Sequence, residues 1–336
     1  MNQDKASLGP EPAGLSVWPA SASGPDQPAT SLHLAFGMFD GVHLGHQQLI
    51  RQTLRAAGNH SPAIAGALTF DPHPSRILRP DNPTRLILPL EMRIQKLLGL
   101  GLDRVYVQAF SAELALTPPE AFVERLLTVF PGLSSLHVGA NFRFGAKRRG
   151  DPGLLQSMGG TGGFAVGVLE REHYAGSPVS SSRIREALAS GDIDLANALL
   201  GQPYTVQGRV MEGRRIGRQL GFPTVNLPWN PETRPRFGVY RARLSLAGQG
   251  HWEEGVANYG MRPTLGEGDA PLLEVHLLDP REVPSSGDPV EVELLGFLRP
   301  EHTFASLAAL REQIFRDVEQ AREGFKARSL RPPPSA

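Results

Sequence analysis

The sequence predicts two folded domains in series, a parallel α/β domain and then a small antiparallel β-barrel with a C-terminal helix, and three features predict it. From residue 32 to about 200, short apolar runs alternate with stretches of helical period, which builds a parallel sheet covered by helices. From Tyr204 the period falls to two: Ala242, Leu244 and Leu246 alternate with Arg241, Arg243 and Ser245, and Val290, Val292 and Leu294 with Glu291 and Glu293. Alternation of that kind signals antiparallel strands with one face in water. Lastly, Leu307, Leu310, Ile314, Val318, Ala321 and Phe325 form one helical stripe, so a helix over about 306–325 is expected to pack on the barrel.

Composition sets the bounds. A chain of 336 residues can bury two cores, and 40% hydrophobic with 20% charged residues is ordinary for a globular protein. The 37 glycines and 30 prolines must then gather in turns and tails. Residues 1–30 are rich in Pro, Gly, Ser and Ala, lack the apolar core of a signal peptide, and are expected to be a disordered tail, as are 327–336. Formal net charge is zero and no block of five or six like charges occurs, which argues against nucleic-acid and membrane partners. No run approaches the roughly 18 apolar residues of a membrane span. The absence of cysteine excludes disulfides, thiolate metal sites and cysteine nucleophiles, and fits a cytoplasmic protein.

In chain order, the strand at 32–36 runs into Gly37-Met38-Phe39-Asp40-Gly41-Val42-His43-Leu44-Gly45-His46, after which Leu49, Ile50, Thr53, Leu54 and Ala57 give a helix its apolar face. His43 and His46, three apart at that helix start, fall on one side beside free backbone N–H groups, a place suited to a triphosphate. The same spacing also suits a surface pair or two metal ligands. A second strand, 63–70, enters Asp71-Pro72-His73-Pro74; helices over 91–100 and 119–130 alternate with strands at 104–109 and 136–139. Ligands of parallel sheets bind beyond the carboxyl ends of strands, where His43, Asp71, His73 and Asn141 then lie. Asn141 and Arg143, between glycines, suit phosphate. After a strand at 164–169, Ser180, Ser181 and Ser182 open a helix with Arg183 and Arg185; the serines read both as caps and, with the arginines, as a second anion grip. Gly191 ends that helix and a shorter one runs to Gly201.

In the second domain, 208–221 holds four glycines and four arginines. Such a loop is either a flexible bulge or a set of N–H groups wrapping polyphosphate.

These stretches resemble the bacterial bifunctional riboflavin kinase/FAD synthetase family. The match to Gly-x-Phe-Asp-Gly-Val-His-x-Gly-His covers Gly37, Phe39, Asp40, Gly41, His43 and His46. Residues 138–145 and 179–185 are similar to two further synthetase motifs, and 217–226, with Gly217, Arg218, Gly221, Pro223, Thr224 and Asn226, to the kinase loop Gly-Arg-x-Leu-Gly-x-Pro-Thr-x-Asn. The resemblance covers about 32–325 and implies a Rossmann-like nucleotidylyltransferase domain, 31–200, followed by a riboflavin kinase barrel, 201–326. It implies ATP as co-substrate, riboflavin and FMN as substrates, and Mg²⁺. By the same resemblance Asp71 and His73 join the first site, Gly208 and Gly213 the nucleotide loop, and Thr224 and Asn226 hold Mg²⁺. Glu274, in Leu273-Glu274-Val275-His276, is the implied base, while Asn258 and Arg262 shape the flavin pocket. A monomer or weak homo-oligomer acting on small molecules is expected.

One departure stands out. Where the family carries Asp-x-Tyr-Gly, this chain reads Pro-Arg-Glu-Val-Pro-Ser-Ser-Gly-Asp-Pro after Asp279, which alters the loop expected to cover flavin. Rival readings are therefore a chain with a silent kinase head, a flavin- or nucleotide-binding regulator, and a metal hydrolase built on His43, His46 and His73.

Overall fold

The computed structural model describes residues 15–17, 31–213, 221–262 and 270–329, and the chain divides into two compact units, 1–181 and 182–336. In the first unit, strands β1 (Leu15–Val17), β2 (Ser31–Phe36), β3 (Ala63–Asp71), β4 (Arg104–Ala109), β5 (Leu133–Gly139) and β6 (Ala165–Leu169) form one sheet in the order β1-β4-β3-β2-β5-β6. Every pairing is parallel. From β2 the chain builds outward first one way and then the other, so the crevice beyond the ends of β2 and β5 is the switch point where ligands of such sheets bind.

Helices cover both faces, and the burial pattern of the strands shows why. Leu34, Leu68, Tyr106 and Leu136 point to one side, under α5 (Pro119–Val129) and α6 (Pro152–Gly162) with Leu126 and Leu155. Ala35, Ala67 and Val105 point to the other, under α1 (Leu44–Gly58) and α3 (Leu90–Gly99) with Ile50 and Leu97. Each large side chain buried here contributes roughly 1.5–3 kcal/mol before entropy is counted. Short helices α2 (Pro74–Leu78) and α4 (Ala112–Leu116) follow β3 and β4, and a two-stranded hairpin, β7 (His173–Tyr174) with β8 (Ser177–Pro178), follows β6. Within the expected N-terminal tail, Leu15–Val17 departs from disorder: paired to β4, it covers an edge whose N–H and C=O groups would otherwise lack partners.

The second unit begins with α7 (Ser181–Ser190) and α8 (Ile193–Leu200), although the strand pattern changes only after residue 200. Asn197 of α8 explains the grouping. Its Nδ2 donates to the Leu294 carbonyl at 2.9 Å and its Oδ1 accepts from the Tyr204 N–H at 2.7 Å. Strands β9 (Tyr204–Arg209), β10 (Thr224–Pro228), β11 (Gly238–Leu246), β12 (Glu253–Arg262), β13 (Ala270–Leu277) and β14 (Pro289–Pro300) form an antiparallel sheet ordered β10-β13-β12-β11-β14-β9. It curls into a half-barrel, and Met211, just beyond β9, bridges Asn226 of β10.

The last helix, α9 (Leu307–Ser329), packs Val318, Ala321 and Phe325 on Val239, Val256 and Leu295 of the sheet's outer face. Two expectations are corrected. Leu307 is 65% exposed: the first turn is held by Ser306, whose hydroxyl accepts from the Ala309 N–H, and not by burial. The outer face is also not simply in water, because α9 covers part of it and Glu293 is buried, paired with Arg243 at 2.5 Å.

Candidate functional site

The turn after β2 is wound through the left-handed region at Phe39 (φ 51°), Gly41 (φ 83°) and Val42 (φ 46°). For the two non-glycine residues, one of them β-branched, that conformation costs on the order of 1–3 kcal/mol each. Burial of both side chains at 0% exposure offsets it, and hydrogen bonds hold the rest. The buried Asp40 carboxylate accepts from the N–H groups of Ile87 (2.9 Å) and Leu88 (3.4 Å), and its carbonyl accepts from the Ser181 hydroxyl (2.9 Å). Gln47 Nε2 donates to the Val42 carbonyl at 3.0 Å.

This frame delivers the two histidines together. His43 is the N-cap of α1, its Nδ1 accepting from the His46 N–H at 3.4 Å, and the two rings stack 3.6 Å apart at 13°. Phe39 presents its ring edge-on to His46 at 5.3 Å. Nδ1 of His46 is sealed from solvent without a hydrogen-bond partner. Burial first, then the neighbouring His43 and Arg93, hold the His46 pKa well below the usual histidine value, so this imidazole is neutral at pH 7.

Around the pair, Asp71 ends β3 with Oδ1 3.6 Å from Arg93 Nη2. His73 caps α2, its Nδ1 3.1 Å from the Ser75 N–H and 2.8 Å from the Ser75 hydroxyl. Gly37 leaves room for the Phe39 ring, 3.4 Å from where its Cβ would stand. Asn141 and Arg143 are exposed beyond β5, across the switch point, with Arg143 Nη1 donating to the Phe142 carbonyl at 2.7 Å. Ser180 and Ser181 are half-buried and Ser182 exposed, whereas Arg183 and Arg185, half-buried on α7, belong to the second unit.

Two sequence assignments acquire a different physical content. The carboxylate of Asp40 is 2% exposed and engaged by the backbone, and the ring of Phe39 is core; both shape the turn. Arg93 was not anticipated. It is 1% exposed on α3, and its Nη1 donates to the Met38 carbonyl at 2.8 Å. An arginine within an otherwise apolar helix face (Met92, Ile94, Leu97) was the available signal.

In the second unit the antiparallel register sets Asn226, Glu274 and Asn258 in one row across β10, β13 and β12, with Thr224 opposite His276 in the next row on that face. Asn226 is buried; its Nδ2 donates to the Thr224 carbonyl at 3.2 Å, and its Oδ1 is sealed without a partner. Gly213 lies against that amide so closely that a Cβ would collide with it. Gly208 sits on β9 against Leu227, Gly221 has φ 89°, and the carbonyl of the exposed Pro223 meets His276 Nδ1 at 3.0 Å. Glu301 hydrogen-bonds Asn258, a link that sequence spacing did not reveal. Gly217, Arg218 and the side chain of Arg262 lie outside the described residues.

The departing loop after Asp279 is anchored at both ends. Asp279 Oδ2 accepts from Arg322 Nη1 at 2.6 Å on α9, and the Arg281 N–H donates to Glu253 at 3.0 Å. Farther along, the Gly287 N–H donates to the Val210 carbonyl at 2.8 Å and Arg209 donates to the Gly287 carbonyl at 2.9 Å. Among the described residues no group of three or more His, Asp and Glu side chains gathers to hold a metal ion.

Two family models match the chain in succession. A family model for FAD synthetase matches residues 26–183, and one for riboflavin kinase matches 200–325. The chain is 40% identical to a bifunctional riboflavin kinase/FMN adenylyltransferase of Pseudomonas fluorescens over 85% of this chain and 90% of that one. It is 37% identical to the Escherichia coli K12 protein of the same description (87% and 92%), and 35% identical to that of Listeria monocytogenes (87% and 92%). Among solved structures, one described as a macrolide-efflux protein from Streptococcus pneumoniae aligns with TM-score 0.78 and 27% identity over 88% of this chain and 95% of that one.

Proposed function

The chain belongs to the family of bifunctional riboflavin kinase/FMN adenylyltransferases, which transfer phosphate from ATP to riboflavin and AMP from ATP to the FMN so formed, and from that premise we propose which of its residues carry each reaction. The observation that carries the assignment for the first unit is the stacked His43–His46 pair, held at the start of α1 by a strained turn at the sheet's switch point.

The phosphate of FMN is already ionised, so attack on the α-phosphorus of ATP needs no general base. It needs in-line placement of two anions and hydrogen-bond donors where charge grows. His43 Nδ1 accepts from a backbone N–H and His46 Nδ1 has no partner. An accepting Nδ1 leaves the His43 proton on Nε2 as a donor for a phosphate oxygen, and the His46 ring stacked beside it brings a second imidazole to the same place. The N–H groups at the start of α1, with Asn141, Arg143, Ser180 and Ser181 of the same unit, complete the grip on phosphates in this reading.

Riboflavin must instead lose a hydroxyl proton, and Glu274 is the carboxylate beside the nucleotide turn. Thr224 and Asn226 fit Mg²⁺: the sealed, unpartnered Oδ1 of Asn226 is the acceptor a cation would satisfy. When bound, Mg²⁺ neutralises charge on the ATP phosphates. Asn258, tied to Glu301, closes the row beside Glu274. The anchored loop after Asp279 supports a working kinase head. Among the described residues no helix is long and apolar enough to cross a membrane. With zero net charge, a cytoplasmic monomer or weak homo-oligomer without nucleic-acid partners completes the proposal.

Two substitutions test the division. Glu274→Ala is expected to slow FMN formation from riboflavin by about 10²- to 10⁴-fold, as loss of a general base does, and to spare adenylylation of supplied FMN. His46→Ala is expected to do the reverse. Equal loss of both activities in either variant would overturn the assignment.

A further inference from the structure

We infer that Arg93 is a positioning residue for adenylyl transfer, acting through the turn that carries His43 and His46. The inference rests on the assignment of His46 above and extends it to a residue on a different element.

Three observations converge on Arg93. It occupies the buried face of α3 between Met92 and Ile94 and is 1% exposed, a position an aliphatic side chain would fill at lower desolvation cost. Its Nη1 donates to the carbonyl of Met38 at 2.8 Å, immediately before the residues forced into the left-handed region. Its Nη2 stands 3.6 Å from the Asp71 carboxylate at the end of β3. One planar cation thus ties the turn after β2 to the end of the neighbouring strand. A lysine ammonium, with one nitrogen, cannot reproduce that fork.

The fixed charge also acts on His46, where it adds to burial in disfavouring the imidazolium. Arg93 therefore places the histidine-bearing turn and, after burial and His43, adds to what keeps its second histidine neutral. Displacing a reacting group by about 1 Å costs on the order of 10²-fold in rate, so a turn released from Met38 is expected to lose turnover without losing the fold.

A double-mutant cycle tests this. FAD formation from supplied FMN and ATP is measured for the parent, Arg93→Met, His46→Ala and the double variant, with thermal unfolding and riboflavin phosphorylation followed on the same preparations. Arg93→Met is expected to lower FAD formation by about 10- to 100-fold in the parent but by less than about threefold once His46 is already Ala, because coupled residues are not additive. Riboflavin phosphorylation should stay near the parent value. Equal losses in the two backgrounds would overturn the inference while leaving His46 in place. A His46→Ala enzyme as fast as the parent would instead overturn the histidine assignment on which it rests. Arg93→Lys keeps the charge and serves where Arg93→Met does not fold: it is expected to lose less than the Met variant, with the loss again vanishing in the His46→Ala background, and a loss independent of His46 would overturn the inference.

Discussion

Asn226 shows how much a single buried amide constrains. Its Nδ2 is used by the Thr224 carbonyl, its Oδ1 has no protein partner, and Gly213 has no room for a methyl group beside it. Gly213→Ala should therefore push the amide from its place. We expect riboflavin phosphorylation to fall by at least about tenfold, the cost of roughly one misplaced or lost hydrogen bond at 1.4 kcal/mol, with adenylylation of supplied FMN unchanged; a kinase rate within a factor of two of the parent would exclude the role given to Asn226. Residues whose role depends on near neighbours in sequence were legible: glycines flanking His43 and His46, and the Thr224–Asn226 pair after a glycine turn. Arg93 and Glu301 were not, because their partners lie 55 residues away for the Arg93–Met38 bond and on a separate strand for Glu301 and Asn258.

At the scale of elements, β2, β5 and α1 meet over a buried polar chain. His33 Nδ1 lies 2.7 Å from the Ser135 hydroxyl, which lies 2.9 Å from His137 Nε2, and Gln52 of α1 closes on the same place. Burial is the main cause that lowers the His137 pKa to about 4, with His33 adding to it. His33 is lowered too, by burial and then His60. A histidine depressed in the folded state leaves stability intact above its unfolded value of about 6.5 and removes it as pH falls toward the folded value. For His137 alone the loss between about pH 6.5 and pH 4 amounts to about 3 kcal/mol. Thermal unfolding should show the first unit melting well below its neutral-pH temperature at pH 4.5, with a shallower pH slope in His137→Gln; an unchanged slope would remove His137 from the account. The strands and long helices were legible from periodicity, whereas β1 and α6 were not. Residues 15–17 form a strand because β4 offers them an edge, and the glycine-rich α6 is held by its Asp151 cap, with the carboxylate 2.9 Å from the Leu154 N–H.

For the whole molecule, each compact unit has its own core, so the two reactions should be separable. Mixing Glu274→Ala protein with His46→Ala protein is expected to restore FAD synthesis from riboflavin and ATP, with FMN accumulating first, as separation of the flavins by chromatography over time would reveal. No FAD from the mixture, where each variant retains its remaining activity, would mean that FMN does not pass between molecules.

By itself the sequence determined the order of the two folds and the family. Those rest on periodicity and on short motifs, and both are local properties of the chain. Tertiary structure alone decided that the Asp40 carboxylate meets the Ile87 and Leu88 N–H groups, that Arg93 reaches the Met38 carbonyl, that Asn226, Glu274 and Asn258 share one row, and that α8 docks on β14. Each of these depends on strand register or on which buried donor meets which acceptor, and desolvation makes such pairings strongly selective only once the distant segments have been brought together.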